Sequence, residues 1–181
     1  GAMANTFLLS KDIIVGKSLV EQDLVEVAKD IQTKAVQFNC KLILPLDVIC
    51  GKSIEDREPV EFDINDISKN YMILDLGTKT TALINKEIKN SKMVLWNGPV
   101  GAFEYKSYER ATNEIALNIK QNVKQFGINA LAGGGDTVSA IKNANAEDGF
   151  DYISNAGGAF LEWLEGNQSP GVIALRENNL S

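Results

Sequence analysis

Apolar positions along the 181-residue chain follow two alternating spacings, and this alternation predicts the elements of the fold. In residues 18–38 they recur every three or four positions, which is typical of one face of an amphipathic helix. Ser18 followed by Glu21 has the form of a capping box at the start of that helix. Residues 41–49 form a short apolar run that contains Pro45, and this run predicts a strand.

The rest of the chain continues this alternation. Residues 56–70 are polar and contain Pro59, so we expect a surface excursion there. Strands separated by helices are typical of a parallel sheet that is covered on both faces. The sequence therefore predicts an α/β fold, a three-layer Rossmann-like parallel sheet with helices on both faces. The remaining predicted strands are 71–76, 93–96, 128–132, 150–153 and 171–175, and the remaining predicted helices are 77–89, 108–126, 137–143 and 159–165.

Composition narrows the classes of function. The chain has 24 acidic and 18 basic side chains, a formal net charge of −6, which argues against nucleic acid as the main partner. It has no histidine, which excludes Ser-His-Asp and Cys-His catalysis and zinc sites that use histidine. Catalysis would have to use carboxylates, lysine, backbone dipoles and positioning. The sequence has neither a long apolar span nor a signal peptide, so we expect no membrane association and a cytoplasmic location.

Three glycine-rich turns each follow a predicted strand and approach a helix. They occupy residues 96–101, 132–137 and 155–159. In an open α/β sheet such turns lie at the carboxyl edge of the strands, where ligands bind. We therefore expect the three turns to meet at one site.

The turn at 133–137, with the sequence GGGDT, is the sharpest local motif. Glycines after a strand let a phosphate approach the backbone, and the following helix offers unpaired N–H groups. Asp136 is a candidate ligand for Mg²⁺, and the Thr137 hydroxyl is a candidate donor to a phosphate oxygen. The alternative is a plain tight turn in which Asp136 is an ordinary helix N-cap.

The other two turns also have two interpretations. Gly157 and Gly158 begin a second helix that could face a second phosphate group, or they form an ordinary strand-to-helix turn. In the segment 96–104, Asn97 and the backbone of Pro99 and Val100 could line a nucleotide. Glu104 could accept hydrogen bonds from two ribose hydroxyls, or it could be a solvated carboxylate at a helix start.

In order, these motifs resemble the C-terminal, nucleotide-binding domain of the phosphoglycerate kinase family. The match covers nearly the whole chain, and the pairing of WNGPVGAFE with GGGDT is highly specific. In DLGTKT, Thr78 stands where the family usually has proline, and Asn155-Ala156 replaces the usual Thr-Gly. The matching segments are GAMANTFL at 1–8, GKSL at 16–19, LPLD at 44–47, DLGTKT at 75–80, WNGPVGAFE at 96–104, GGGDT at 133–137 and GGA at 157–159.

The resemblance implies reversible phosphoryl transfer between ADP and 1,3-bisphosphoglycerate, which yields ATP and 3-phosphoglycerate and requires Mg²⁺. It also implies roles for individual residues of this chain. The implied adenine pocket consists of Gly1, Ala2, Leu19, Gly77 and Val100, and Glu104 is implied to bind the ribose. Other implied contacts with the nucleotide are Asn97, Pro99, Gly133, Gly134 and Gly135. Asp136 and Thr137 are implied to bind Mg²⁺ and phosphate, and Gly157 and Gly158 to face the transferring group.

The resemblance also implies that the chain is a part of a larger enzyme. The family places a GGAK-type segment before the residues that match positions 1–8, and a separate N-terminal domain binds 3-phosphoglycerate. We therefore expect residues 1–181 to form a nucleotide domain that is incomplete at its N-terminal end. Such a domain would bind Mg-ADP or Mg-ATP weakly and would be inactive alone, in a family that is usually monomeric. The alternative is a non-catalytic nucleotide-binding module.

Overall fold

The computed structural model describes residues 1–155 and, beyond them, residues 158, 162 and 166. The predicted strand at 171–175 and most of the predicted helix at 159–165 lie outside these residues. The described helices are α1 (Ala2–Leu9), α2 (Val25–Gln37), α3 (Thr78–Asn90), α4 (Arg110–Phe126) and α5 (Gly135–Asn143), and the described strands are β1 (Asp47–Gly51), β2 (Val60–Asp63), β3 (Met72–Leu76), β4 (Met93–Trp96), β5 (Asn129–Gly133) and β6 (Tyr152–Ser154).

The second half of the described chain contains the predicted parallel sheet. Its strand order is β4-β5-β6, and both neighbouring pairs are parallel. Helix α4 connects β4 to β5, and helix α5 connects β5 to β6, which are the crossover connections that parallel strands require. The α/β class, with a Rossmann-like parallel sheet flanked by helices, is thereby confirmed.

The first half contains a separate antiparallel sheet, which the sequence analysis did not predict. Its order is β2-β1-β3, and β1 is antiparallel to both neighbours. The loop between β1 and β2 is too short for a parallel crossover, so the chain returns as a hairpin. Part of the expected surface excursion at 56–70 is therefore strand β2. On this strand, the ring of Phe62 packs edge-to-face on Tyr71 at 5.2 Å between centroids.

The predicted strand at 41–49 is correct only in its second part. Strand β1 begins at Asp47, and residues 41–45 are not in a strand. Pro45 has no N–H to donate to a neighbouring strand. The N–H groups of Leu46 and Asp47 instead donate to the Thr80 hydroxyl, at 2.9 and 3.1 Å. A contact with helix α3 thus takes the place of strand pairing here.

The predicted capping box at Ser18 and Glu21 is wrong. Helix α2 begins at Val25, after a 3₁₀ turn. The Ser18 hydroxyl accepts a hydrogen bond from the Ile73 N–H of β3 at 2.8 Å. The Glu21 N–H donates to the hydroxyl of Thr6 at 3.0 Å. Both groups bind elements distant in sequence, and a local capping pattern does not contain that information.

Two hydrophobic cores correspond to the two sheets. The larger lies between α4 and the parallel sheet and includes Trp96, Ile115 and Ile141. The smaller lies against the antiparallel sheet and includes Leu8 and Val48. No helix within the described residues is both long enough and apolar enough to cross a bilayer.

Candidate functional site

The glycine-rich turns begin at one edge of the parallel sheet, as predicted. Trp96 at the end of β4 is in register with Ala132 of β5, and Gly133 is in register with Ser154 at the end of β6. Asn97, Gly134 and Asn155 therefore leave the sheet side by side. In the third turn, Gly157 lies outside the described residues, and Gly158 is exposed.

The turn after β5 has the backbone of an anion site. Gly134 has φ of +98°, a conformation that side-chain-bearing residues rarely adopt. Helix α5 follows, and its first helical hydrogen bond runs from the Val138 N–H to the Gly134 carbonyl at 2.9 Å. The amides of residues 135–137 thus belong to a first turn, whose N–H groups have no carbonyl partner inside a helix. They can donate to an anion at this edge.

Asp136 and Thr137 occupy different environments in that first turn. Asp136 is exposed, and Thr137 is buried. The N-cap of α5 is Gly134, so the interpretation of Asp136 as the N-cap is wrong. A Cβ placed on Gly134 would lie 3.5 Å from the Thr137 hydroxyl oxygen and 3.8 Å from Oδ1 of Asn97. The Asn97 side chain therefore adjoins the start of α5.

The loop after β4 is held in place by three hydrogen bonds. The indole N–H of Trp96 donates to the Gly98 carbonyl at 2.5 Å. The N–H groups of Val100 and Gly101 both lie 3.3 Å from the hydroxyl oxygen of Thr112, which is fully buried on α4. These bonds fix the backbone of the segment that resembles WNGPxG.

A cavity of about 360 Å³ opens between this loop, helix α1 and the antiparallel sheet. Its volume falls within the range of small-molecule sites, and apolar walls with a few polar groups suit a planar base. Five of the predicted nucleotide residues line it: Gly1, Ala2, Asn97, Pro99 and Val100. Its apolar walls include Ile43, Ile73, Leu74 and Ile84.

The structure places three predicted site residues elsewhere. The Leu19 side chain is 76% exposed, and its carbonyl accepts a hydrogen bond from the Asn5 amide at 3.0 Å. Glu104 is exposed and lines a separate groove with Arg57 and other polar side chains. Gly77, the third, lies against Asp47, and a Cβ on it would come 2.2 Å from the carboxyl carbon.

Asp47 caps helix α3 from strand β1, a role that the sequence analysis missed. Its Oδ1 accepts from the N–H of Thr80 at 2.8 Å and from the Thr80 hydroxyl at 2.6 Å. Its Oδ2 accepts from the N–H of Lys79 at 2.8 Å. Burial opposes ionisation, but the hydrogen bonds from Thr80 and Lys79 outweigh it and lower the pKa of Asp47. This carboxylate satisfies donors at the start of α3 that would otherwise lack partners.

Asp75 performs the same task for helix α4 from the end of strand β3. The side chain is 2% exposed, and its Oδ2 accepts from the N–H of Ala111 at 3.0 Å. Its Oδ1 is buried and has no hydrogen-bond partner within the described part of the chain. Burial raises the pKa of Asp75 to about 6, against the hydrogen bond from Ala111, the nearby backbone N–H of Leu76 and the charge of Arg110. One signal was present in the sequence, a charged residue inside an apolar run.

Comparisons with known proteins show the family to which the chain belongs. The family model for phosphoglycerate kinase matches residues 1–167. The chain is 46% identical over 176 residues to a phosphoglycerate kinase of Cereibacter sphaeroides strain ATCC 17029 / ATH 2.4.9. The match includes 97% of this chain and 44% of that relative. It is 45% identical over 179 residues to one of Azorhizobium caulinodans and covers 45% of that relative. The chain thus spans less than half the length of these curated relatives.

Solved structures give the same result. The structure of phosphoglycerate kinase from Coxiella burnetii matches with a TM-score of 0.88 and 36% identity, over 93% of this chain and 43% of that one. The crystal structure of the enzyme from Pyrococcus horikoshii OT3 matches with a TM-score of 0.74 over 96% of this chain and 43% of that one. At 24% identity, the second match shows the fold alone.

Proposed function

Because the chain belongs to the phosphoglycerate kinase family, we propose that it forms the nucleotide-binding, C-terminal part of such an enzyme and binds ADP or ATP with Mg²⁺. The observation that carries this proposal is the position of the cavity. It is lined by Asn97, Pro99 and Val100, and the turn that starts α5 lies directly beside Asn97. A base in the cavity and phosphates at the helix start would suit one elongated ligand.

In this proposal the chain binds the phosphates mainly through its backbone. The N–H groups of the first turn of α5 and the Asn97 side chain donate to phosphate oxygens, and the Thr137 hydroxyl adds a further donor. Gly157 and Gly158 are proposed to face the transferring group with their amides. The proposed adenine contacts of Leu19 and Gly77 and the ribose contact of Glu104 would require these residues to approach the ligand from outside the cavity lining.

The residues present fit a Mg²⁺ that is bound together with phosphate. Asp136 is an exposed carboxylate in the first turn of α5. No group of three or more metal-ligating side chains occurs in the part of the chain that the structure describes. Mg²⁺ is commonly held by one or two carboxylates plus substrate phosphates, so a single carboxylate suffices. When bound, the ion would neutralise charge that develops on the phosphate oxygens.

The whole-enzyme reaction proposed for the family member is reversible transfer between 1,3-bisphosphoglycerate and ADP. The acyl phosphate loses its phosphoryl group, the terminal oxygen of ADP gains it, and 3-phosphoglycerate leaves as a carboxylate. This transfer needs no general base, so alignment and charge neutralisation are sufficient, and the absence of histidine is compatible with it. This chain supplies the nucleotide side of that alignment. We propose that alone it binds nucleotide without turnover.

Calorimetry with Mg-ADP tests the binding step. We expect saturable heat at millimolar nucleotide. Asp136→Asn should weaken binding in the presence of Mg²⁺ but not in EDTA, where the loss of a negative charge beside the phosphates removes repulsion. Asp66→Asn is the matched control, because Asp66 is an exposed carboxylate distant in sequence from the site. A folded sample that gives no heat would refute the proposal. Equal effects of the two substitutions would refute the role of Asp136.

A second candidate function is a non-catalytic nucleotide-binding module, because the cavity and the start of α5 could bind a nucleotide without any reaction. A coupled assay separates the two. A kinase part should gain activity when a family N-terminal half is added, and its nucleotide affinity should change. A binding module should show neither effect.

A further inference from the structure

We propose that Asp75 is a positioning residue for the nucleotide site and that its protonation state sets the arrangement of the loop at residues 97–101. The inference rests on the proposed function, since it assigns the loop a nucleotide-facing role. Asp75 does not line the cavity itself. It lies against Gly101, which follows the cavity-lining residues Pro99 and Val100 in the chain.

The first part of the argument is contact with the loop. A Cβ on Gly101 would lie 2.2 Å from Oδ1 of Asp75, so the loop backbone packs directly on this carboxyl. The next residue, Ala102, donates its N–H to the Leu74 carbonyl of β3 at 2.8 Å. The loop is therefore attached to β3 next to Asp75. A change in the position or charge of the carboxyl group should shift the backbone of Gly101.

The second part is contact with helix α4. Oδ2 of Asp75 accepts a hydrogen bond from the Ala111 N–H at 3.0 Å. The hydroxyl of the next residue, Thr112, accepts hydrogen bonds from the N–H groups of Val100 and Gly101. One carboxyl group thus touches both the loop and the helix start that holds it. Removal of the side chain should loosen the two together.

The third part is the environment of the unpartnered oxygen. The charged groups that face Asp75 are the guanidinium of Arg110 and the amino group of Gly1. Arg110 is also engaged elsewhere, with the Leu76 carbonyl at 3.2 Å and with Glu114 at 3.4 Å. Among the residues that the structure describes, none donates a hydrogen bond to the buried Oδ1. Protonation makes it a donor. The Tyr108 carbonyl oxygen lies 2.7 Å from the position that a Cβ on Gly101 would take, and Oδ1 of Asp75 lies 2.2 Å from that same position.

It follows that the loop should be best packed when Asp75 is neutral. Ionisation leaves an anionic oxygen without a partner against the backbone of Gly101, and it adds negative charge behind an anionic ligand. Nucleotide affinity should therefore fall as the pH rises through the pKa of Asp75. Fluorescence of the loop measured without ligand separates a rearrangement of the loop from this direct repulsion.

The experiment uses Trp96, whose indole N–H bonds to the Gly98 carbonyl, as a fluorescent probe of the loop. The other tryptophan is removed by W163F, which serves as the reference protein. Fluorescence without ligand and affinity for Mg-ADP are measured from pH 5 to pH 8 in this protein and with Asp75→Asn or Asp75→Ala added. Asparagine keeps an acceptor for Ala111 but cannot ionise.

We expect Trp96 fluorescence of the reference protein to titrate with a midpoint near pH 6, and the Asn variant to show no such transition. The dissociation constant of the reference protein for Mg-ADP, divided by that of the Asn variant, should rise about tenfold between pH 5 and pH 8. This ratio cancels the titration of the ligand's own phosphates. The Ala variant should bind more weakly at every pH, and Asn should restore the affinity.

Two results would overturn the positioning role. One is the same midpoint in the Asn variant, and the other is a flat fluorescence profile in the reference protein. If the fluorescence titrates as expected but Mg-ADP does not bind, the control of the loop by Asp75 stands and the proposed function fails. The two hypotheses are thereby tested separately.

Discussion

Asp75 makes a quantitative prediction about stability as a function of pH. Its pKa rises from the ordinary 3.8 to about 6, mainly through burial, so the folded protein binds its proton more tightly than the unfolded chain does. Between these values the folded state carries more protons, and the free energy of unfolding must fall as the pH rises. The shift corresponds to a loss of about 3 kcal/mol. The stabilisation is complete below pH 3.8 and is gone above pH 6.

Urea unfolding followed by circular dichroism at several pH values from 4 to 8 measures this effect. Asp47 and Asp148 have lowered pKa values, so the stability that they contribute rises with pH, mainly below the unfolded pKa of 3.8, and this trend is opposite to that of Asp75. The comparison with Asp75→Asn isolates the effect, because the variant keeps both other groups. We expect the difference in unfolding free energy between the two proteins to change by about 3 kcal/mol across this range. Parallel profiles would show that Asp75 does not titrate as described.

Three further predictions concern the contacts of Gly77, Asp47 and Thr112, and each is measured by urea unfolding at pH 7. Gly77→Ala places a Cβ 2.2 Å from the carboxyl of Asp47 and should destabilise by about 2 kcal/mol, whereas an unchanged midpoint would contradict the packing. Asp47→Ala removes the cap of α3 and should cost about 2 kcal/mol or more, while a loss below half that value would contradict the capping role. Thr112→Val leaves the N–H groups of Val100 and Gly101 without their acceptor. It should lower the free energy of unfolding by about 1 kcal/mol and weaken the affinity for Mg-ADP. An unchanged affinity would show that the loop does not contribute to nucleotide binding.

The sequence predicted best those elements whose signal is local. Strand β4 was predicted with its bounds at 93–96, and helix α3 was predicted within a residue at each end. Both have compact patterns, an apolar run of four residues and a helix that starts directly after a glycine. Ser18 shows the opposite case, because its hydroxyl binds strand β3, which lies 55 residues away along the chain. A capping motif in the sequence cannot distinguish the two uses of that hydroxyl.

The residues of the candidate site also differ in whether local sequence or tertiary contacts determine their position. Asn97, Pro99 and Val100 directly follow a well-predicted strand, and they line the cavity. Leu19 and Glu104 depend on how separate segments are brought together, and the structure places them outside the cavity lining. Asp47 and Asp75 were missed as capping groups because each carboxylate binds the start of a helix that does not contain it. Helix capping of this kind depends on tertiary contacts and has no fixed spacing in sequence.

Gly77 and Gly101 show that a family motif can have a structural cause separate from ligand binding. Each lies where a Cβ would come 2.2 Å from a carboxyl group, that of Asp47 or that of Asp75. Each carboxylate in turn caps a helix, α3 in the case of Asp47 and α4 in the case of Asp75. The absence of a side chain at both glycines is therefore required by the caps, whether or not a nucleotide is bound. A direct adenine contact at Gly77 would have to be demonstrated by the ligand, because its presence in the motif is already explained by packing.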